Sequence, residues 1–206
     1  MQRSILSLLF AAAATASAAD TLIPPLTLSG EVGDGLWAYG QINKGFLVHD
    51  DGRSTEAYPL VDNANSSTRG GLWWRKKAAD DFIFSFNAEA EWNPYSTGRV
   101  NRLNDGDVDW SQWRLRKAEA IFQIDGAGKL WLGQGSSGAD SLAEKDLSGT
   151  GLVSYSSVAD SAGGQLFALS GGGLSGVSLG SAVSNFDGLG RLVRVRYDTP
   201  TWQGLG

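Results

Sequence analysis

Asn104-Asp105-Gly106-Asp107-Val108-Asp109 sets carboxylates at alternate positions, the ligand type of an oxygen-coordinated calcium loop. The glycine that follows the third carboxylate of an EF-hand and the distant Glu are both missing. Asp105, Asp107 and Asp109 are therefore a calcium candidate on ligand type alone, and a solvated acidic turn is the simpler reading. Glu89 and Glu91 share one face of an alternating run, as a carboxylate pair for glycoside chemistry could. Nothing else in the sequence supports an active site around them. Gly171-Gly172-Gly173 is followed by no Lys-Ser or Lys-Thr and is not a phosphate loop. The single histidine, His49, is expected at an exposed loop end, and there is no cysteine. The lack of cysteine excludes thiol chemistry and cysteine-bound metals, and a lone histidine argues against histidine metal sites and catalytic triads. A net charge of −5 gives no reason to expect nucleic acid. The expectation is a protein that is not an enzyme and carries no cofactor.

The elements that must position these residues are strands. Of 206 residues, 28 are Gly and only 19% are charged, which argues against a helical bundle. Aromatic residues make up 10% of the chain, including 8 Trp, which argues against disorder. Residues 1–19 read as a secretory signal peptide: Arg3 is the positive region, Ile5 to Ala14 the apolar core, and Ala16-Ser17-Ala18 the small-residue cleavage pattern. Its apolar run is shorter than a bilayer-spanning helix needs.

Beyond it, apolar and polar residues alternate, as they do when successive side chains point to opposite faces of a sheet. Leu36 to His49 reads as one two-faced strand, broken in phase at Lys44. In Phe82 to Asn93, Phe82, Phe84, Phe86, Ala88, Ala90 and Trp92 make an apolar face, against Ile83, Ser85, Asn87, Glu89, Glu91 and Asn93. Further strands are expected over 68–77, 113–124, 129–135 and 191–198, with a possible short one over 26–32. Strict alternation in 113–124 puts Arg114 and Arg116 on the apolar side. Connections 78–81 and 125–128 are short, whereas 50–67, 94–112 and 136–190 are long, polar and Gly-rich. Short turns at one end and long loops at the other, joined by strands long enough to cross a bilayer at a tilt, predict an all-β, antiparallel transmembrane β-barrel. A soluble β-sandwich is the competing architecture.

The sequence resembles the general porins of Gram-negative bacteria, of the alphaproteobacterial type. The resemblance lies in Tyr39-Gly40-Gln41-Ile42-Asn43-Lys44-Gly45, in Asp62-Asn63-Ala64-Asn65-Ser66-Ser67-Thr68-Arg69-Gly70-Gly71-Leu72, and in Arg116-Lys117-Ala118-Glu119-Ala120. It continues through Gly128-Lys129-Leu130-Trp131-Leu132-Gly133-Gln134-Gly135 and Val195-Arg196-Tyr197-Asp198-Thr199-Pro200. It implies a barrel of about 16 strands, a homotrimer in the outer membrane, contact with lipid and lipopolysaccharide, and passage of small hydrophilic solutes. It also implies a long loop folded into the lumen, here 136–190; this one departs from the family in being longer than a constriction loop needs, and its apolar pieces Gly164–Leu169 and Leu174–Val183 are expected to form an extra hairpin. About six strands are counted and membrane strands must close, so the chain reads as signal peptide 1–19 followed by the N-terminal part of a barrel, 20–206.

On this reading Arg69, Arg75, Lys77, Lys117, Arg194 and Arg196 form a basic pore wall, and Asp140, Glu144 and Asp146 form the acidic side of a constriction. Opposed fixed charges in a low-dielectric frame would orient passing solutes. Ordinary solvated faces or local ion pairs, such as Lys117 with Glu119, are the alternative for any one of them. The tryptophans are expected to form interfacial girdles. Three functions fit: a passive diffusion pore, a substrate-selective channel, or a non-transporting envelope barrel or adhesin.

Overall fold

The computed structural model describes residues 8–11, 26–31, 34–140, 149–154, 157–183 and 189–201. Most of the 1–19 segment, Glu144, Asp146 and Trp202 lie outside the described residues. The elements are β1 (Leu8–Ala11), β2 (Leu26–Glu31), β3 (Asp34–Gln41), β4 (Lys44–Asp50), β5 (Thr55–Asp62), β6 (Arg69–Lys77), β7 (Phe82–Trp92), β8 (Trp113–Ile124), β9 (Gly128–Ser136), α1 (Val158–Ala162), β10 (Leu166–Ala168), β11 (Leu174–Ser178), α2 (Leu179–Ala182) and β12 (Arg191–Asp198). The fold is mostly antiparallel β-sheet, and no described helix is long and apolar enough to cross a membrane.

Seven strands form the main sheet in the order β12-β9-β8-β7-β6-β3-β2. This is an up-and-down meander from which the other strands depart as excursions. The sheet is open, with β2 and β12 as its edges. The turn between β8 and β9 needs backbone that only glycine adopts without strain, with φ of +69° at Gly126 and +105° at Gly128.

Leu36 to His49 is not one strand. β3 stays in the main sheet, and β4 leaves it to pair with β5 and β1. The break falls at Ile42 and Asn43, just before the phase change at Lys44. Asn43 is buried, and its Nδ2 donates to the carbonyls of Ser66 at 2.8 Å and Leu152 at 2.9 Å, which turns the chain away from the sheet. The apolar pieces of 164–183 do pair, as the β10–β11 hairpin.

Cross-strand register divides the main sheet into two faces. On one, Leu36, Trp74, Phe86, Ala120, Leu132 and Val195 lie in one row. Phe84, Phe122, Leu130 and Tyr197 lie in another. Much of this face is exposed: Leu72 is 46% exposed, Phe86 42%, Val193 77%, Val195 74% and Tyr197 58%. The opposite face is polar and covered, with Ser85, Asn87, Glu89, Glu91 and Glu119 all buried.

The hydrophobic core lies elsewhere. Leu47, Tyr58, Val61, Val100 and Ala162 are buried together, with Tyr95 and Leu179 packed against them. These residues come from β4, β5, the 93–112 connection, α1 and α2, so the long loops fold into a cap with its own core. His49, expected at an exposed loop end, is 8% exposed within this cap. Its strand β4 pairs with β5 and turns Leu47 into the core of the cap.

Candidate functional site

The polar face of the sheet and the cap above its loop end form the candidate site. Register puts Arg69, Glu91 and Arg114 in one row, and Tyr39, Gly71, Glu89 and Lys117 in the next. Trp73, Asn87, Glu119, Gly133 and Arg194 follow, then Arg75, Ser85, Ile121, Trp131 and Arg196. Lys77, Lys129 and Asp198 close the short-turn end.

Arg114 and Arg116 belong to this face, not to the apolar one. Glu89 pairs with Lys117 and Ala90 with Leu115, so Arg116 has no partner in the ladder. The bulge inserts one residue and inverts the alternation on its N-terminal side. Arg116 Nε then lies 2.5 Å from Glu89 Oε1, and its Nη1 lies 2.7 Å from Glu91 Oε2. Arg114 Nε lies 2.5 Å from Glu91 Oε1. Ser67 Oγ donates to Glu91 at 2.7 Å, and the Tyr39 hydroxyl is shared between Asn87 Oδ1 at 2.8 Å and Glu89 Oε2 at 3.0 Å. The Tyr39 ring lies over Gly71, where a Cβ would sit 2.5 Å from Cζ. An aromatic side chain opposite a strand glycine is the signal by which this contact could have been read from sequence.

A second buried pair joins Arg194 Nη2 to Glu119 Oε2 at 2.6 Å. The same guanidinium donates to the carbonyls of Ser136 and Gly133, at 2.9 and 3.0 Å. Lys117 therefore does not hold Glu119; Arg194 does. Room for the pair comes from Gly135, where a Cβ would lie 2.1 Å from Glu119 Oε2. Arg196 Nε lies 2.6 Å from Asp198 Oδ1, and its guanidinium carbon is 5.7 Å from the centroid of the Trp131 ring.

Of the six basic residues expected on one wall, all six are on the polar face. Arg194 and Arg196 are committed to carboxylates, Lys77 reaches Asp80 at 3.3 Å, and Arg69 stands 4.0 Å from Glu89. Arg75 and Lys117 make no ion pair with any described residue. Asp140 follows β9, its amide donating to the Ser137 carbonyl at 3.4 Å, and it is not brought against any of the six. The tryptophans divide: Trp92 stacks on Trp113, with Trp110 at 5.3 Å from Trp92, at the loop end of the apolar face. Trp37, Trp73 and Trp131 lie on the polar face, so position near a strand end did not determine which face a ring takes.

The three aspartates of the acidic turn do not converge. Asp107 and Asp109 line a cavity of about 230 Å³ with Ser96, Arg99 and Asn104, whereas Asp105 is not part of its lining. Asp109 faces Arg99 at 3.7 Å and accepts from Ser111 and Gln112. Among the described residues no group of three or more metal-ligating side chains is placed to hold an ion.

The Asp62–Thr68 turn binds the cap to the sheet. Asp62 is fully buried, 2.5 Å from Lys44 Nζ, and accepts from the Tyr95 amide at 2.8 Å. Asn63 Nδ2 donates to the carbonyls of Leu152 and Val153 at 2.9 and 2.8 Å, and Asn65 Nδ2 to that of Gly151 at 2.6 Å. With Asn43, three asparagine amides thus hold residues 151–153 of the longest loop. Gln41 donates to the carbonyls of Ser66 and Ser67 at 3.0 and 2.9 Å, seating the turn over the end of β3.

At the far side of the cap, Arg102 reaches Asp51 at 2.7 Å and Glu56 at 3.3 Å. The amides of Ser54 and Arg53 hold the Asp51 carboxyl down at about 2, with help from Arg102. Burial pushes the neighbouring His49 below its ordinary 6.5, against the opposing pull of Asp51 and Asp50. Both groups bind protons more readily when unfolded, so the cap should lose stability as pH falls through two windows. One begins at 6.5 and runs down to the lowered His49 value. The other begins at 3.8 and runs down to about 2. Hydrogen exchange of cap amides, followed against those of β7 and β8, should show both steps, and H49Q should abolish the upper one. An upper step that survives in H49Q would refute the assignment.

No family model, curated protein or solved structure matches the chain.

Proposed function

We propose that the chain builds the wall and mouth of an outer-membrane porin, a water-filled channel for passive diffusion of small hydrophilic solutes and ions. One observation carries the reading: the main sheet leaves its apolar rows largely exposed, with no described element packed on them, and turns its charges to the opposite face. In water such a face would be a large unpartnered apolar surface, and the core would be expected beneath it. In a bilayer it is the surface a barrel strand presents to lipid, with polar groups toward the lumen. The stacked Trp92, Trp110 and Trp113 beside the long loops suit the membrane interface. Export by the 1–19 segment, insertion in the outer membrane beside lipopolysaccharide and assembly as a homotrimer belong to the same proposal.

A non-transporting barrel is favoured by one feature, the cap with its own core at the loop end. Conductance of the full chain in planar bilayers separates the two. Stepwise, ohmic, weakly selective increments are expected for a diffusion pore, and saturation by one solute would indicate a selective channel. Insertion without any rise in conductance would overturn the channel reading.

A further inference from the structure

We propose that the polar face selects for small oxyanions, solutes bearing phosphate or carboxylate groups; this rests on the channel reading and names its preferred solute class. The bias of the face is opposite to that of the sequence. The chain carries 17 basic and 22 acidic residues. On the polar face of the sheet, register places eight basic side chains and the bulged Arg116 adds a ninth, against four carboxylates. The acidic excess therefore lies off this face.

The four carboxylates are, in addition, already neutralised. Glu91 is held by Arg114 and Arg116 at 2.5 and 2.7 Å, Glu89 by Arg116 at 2.5 Å, Glu119 by Arg194 at 2.6 Å, and Asp198 by Arg196 at 2.6 Å, so four cations meet four acids. Glu89, Glu91 and Glu119 are also buried and so closed off from a passing solute. Among the described residues Arg75 and Lys117 have no carboxylate within ion-pair distance, Lys117 standing opposite Glu89 in the ladder without pairing to it, and Arg69 stands 4.0 Å from that same acid, which Arg116 already holds. Arg69 and Arg75 lie along β6 and Lys117 two strands away on β8, so unspent positive charge flanks β7 on both sides. Fixed charge of one sign along a polar conduit with low-dielectric walls concentrates the opposite ion, and rings of Arg and Lys line anion pores for that reason. Guanidinium groups add bidentate hydrogen bonds to an oxyanion, which chloride cannot match.

The test is the reversal potential of the full-length protein in planar bilayers under a KCl gradient, then with inorganic phosphate on one side. The wild type is expected to pass chloride severalfold better than potassium, and phosphate to lower the chloride current by occupying the path. Arg75→Gln with Lys117→Gln should bring the ratio close to unity and weaken the block. A wild-type channel that prefers potassium would overturn the oxyanion inference while leaving the channel intact. Equal selectivity in the double variant would overturn the roles of Arg75 and Lys117. Absence of any conductance step would instead overturn the channel reading beneath it.

Discussion

Asn63→Ala should release the 149–154 segment, raising amide exchange there by about 30- to 100-fold, the equivalent of about 2–3 kcal/mol. Asn63 is fully buried, and its amide is the only described side chain that donates to the Val153 carbonyl, at 2.8 Å. Truncation removes two donated hydrogen bonds and leaves that carbonyl without its side-chain donor. The Leu152 carbonyl keeps Asn43 at 2.9 Å, so release is partial at that residue. The Asn63 side chain also accepts from the Asn65 amide at 3.0 Å, so the turn beneath it loosens as well. Asn63→Asp provides the second arm. It preserves the acceptor and the shape but turns a donor toward two carbonyls into a carboxylate, so it should release the loop at least as much. Under the channel reading, both variants should show larger or noisier conductance steps. Exchange in 149–154 equal to wild type in both would show that the turn does not hold the loop.

Arg194→Met should destabilise the folded protein by about 3–5 kcal/mol, because it leaves a buried carboxylate without its partner. The Glu119 and Arg194 side chains are 3% and 7% exposed, and no other cation among the described residues lies within ion-pair distance of Glu119. The double variant Arg194→Met with Glu119→Gln should recover most of the loss, since a neutral amide in the same space carries no unpaired charge. Urea denaturation, or the temperature at which the folded band is lost in detergent, reads both. Gly135→Ala should fall in the same class, its methyl competing for the space of Glu119 Oε2. An Arg194→Met protein as stable as wild type would show that the pair contributes nothing to the fold.

Alternation carried most of the fold. Trp113–Ile124 and Arg191–Asp198 have the bounds that their period-two pattern gives, since alternation is regular over 117–124 and over 192–198. The same rule misplaced Arg114 and Arg116, since nothing in the types of residues 113–117 marks a bulge. Its cause is tertiary: Glu89 and Glu91 on the neighbouring strand draw a third cation toward them. Lys44 did mark a break, and there the chain leaves the sheet. The cap was read as polar loop because its core residues, Leu47, Tyr58, Val61, Val100 and Ala162, are scattered over more than a hundred positions with no period. His49 is buried for the same reason, its neighbours in the cap coming from distant parts of the chain. The cations of the site were legible as a set, but their partners were not. Which guanidinium is spent and which is free depends on register, and register was invisible until the strands were paired.

A pleated strand offers each face one side chain per two residues, about 6.8 Å apart. That spacing caps the linear charge density any regular strand can present. By leaving Arg116 out of the ladder beside Lys117, β8 sets two consecutive cations on the same face. One of them closes the circuit with the glutamates and the other stays available. A regular strand would have to choose between neutralising its neighbours and facing the solute; a single extra residue lets this one do both. Deleting Arg116 would leave every remaining pairing of β8 in register and still remove that capacity, so the length of this strand encodes electrostatics as well as reach.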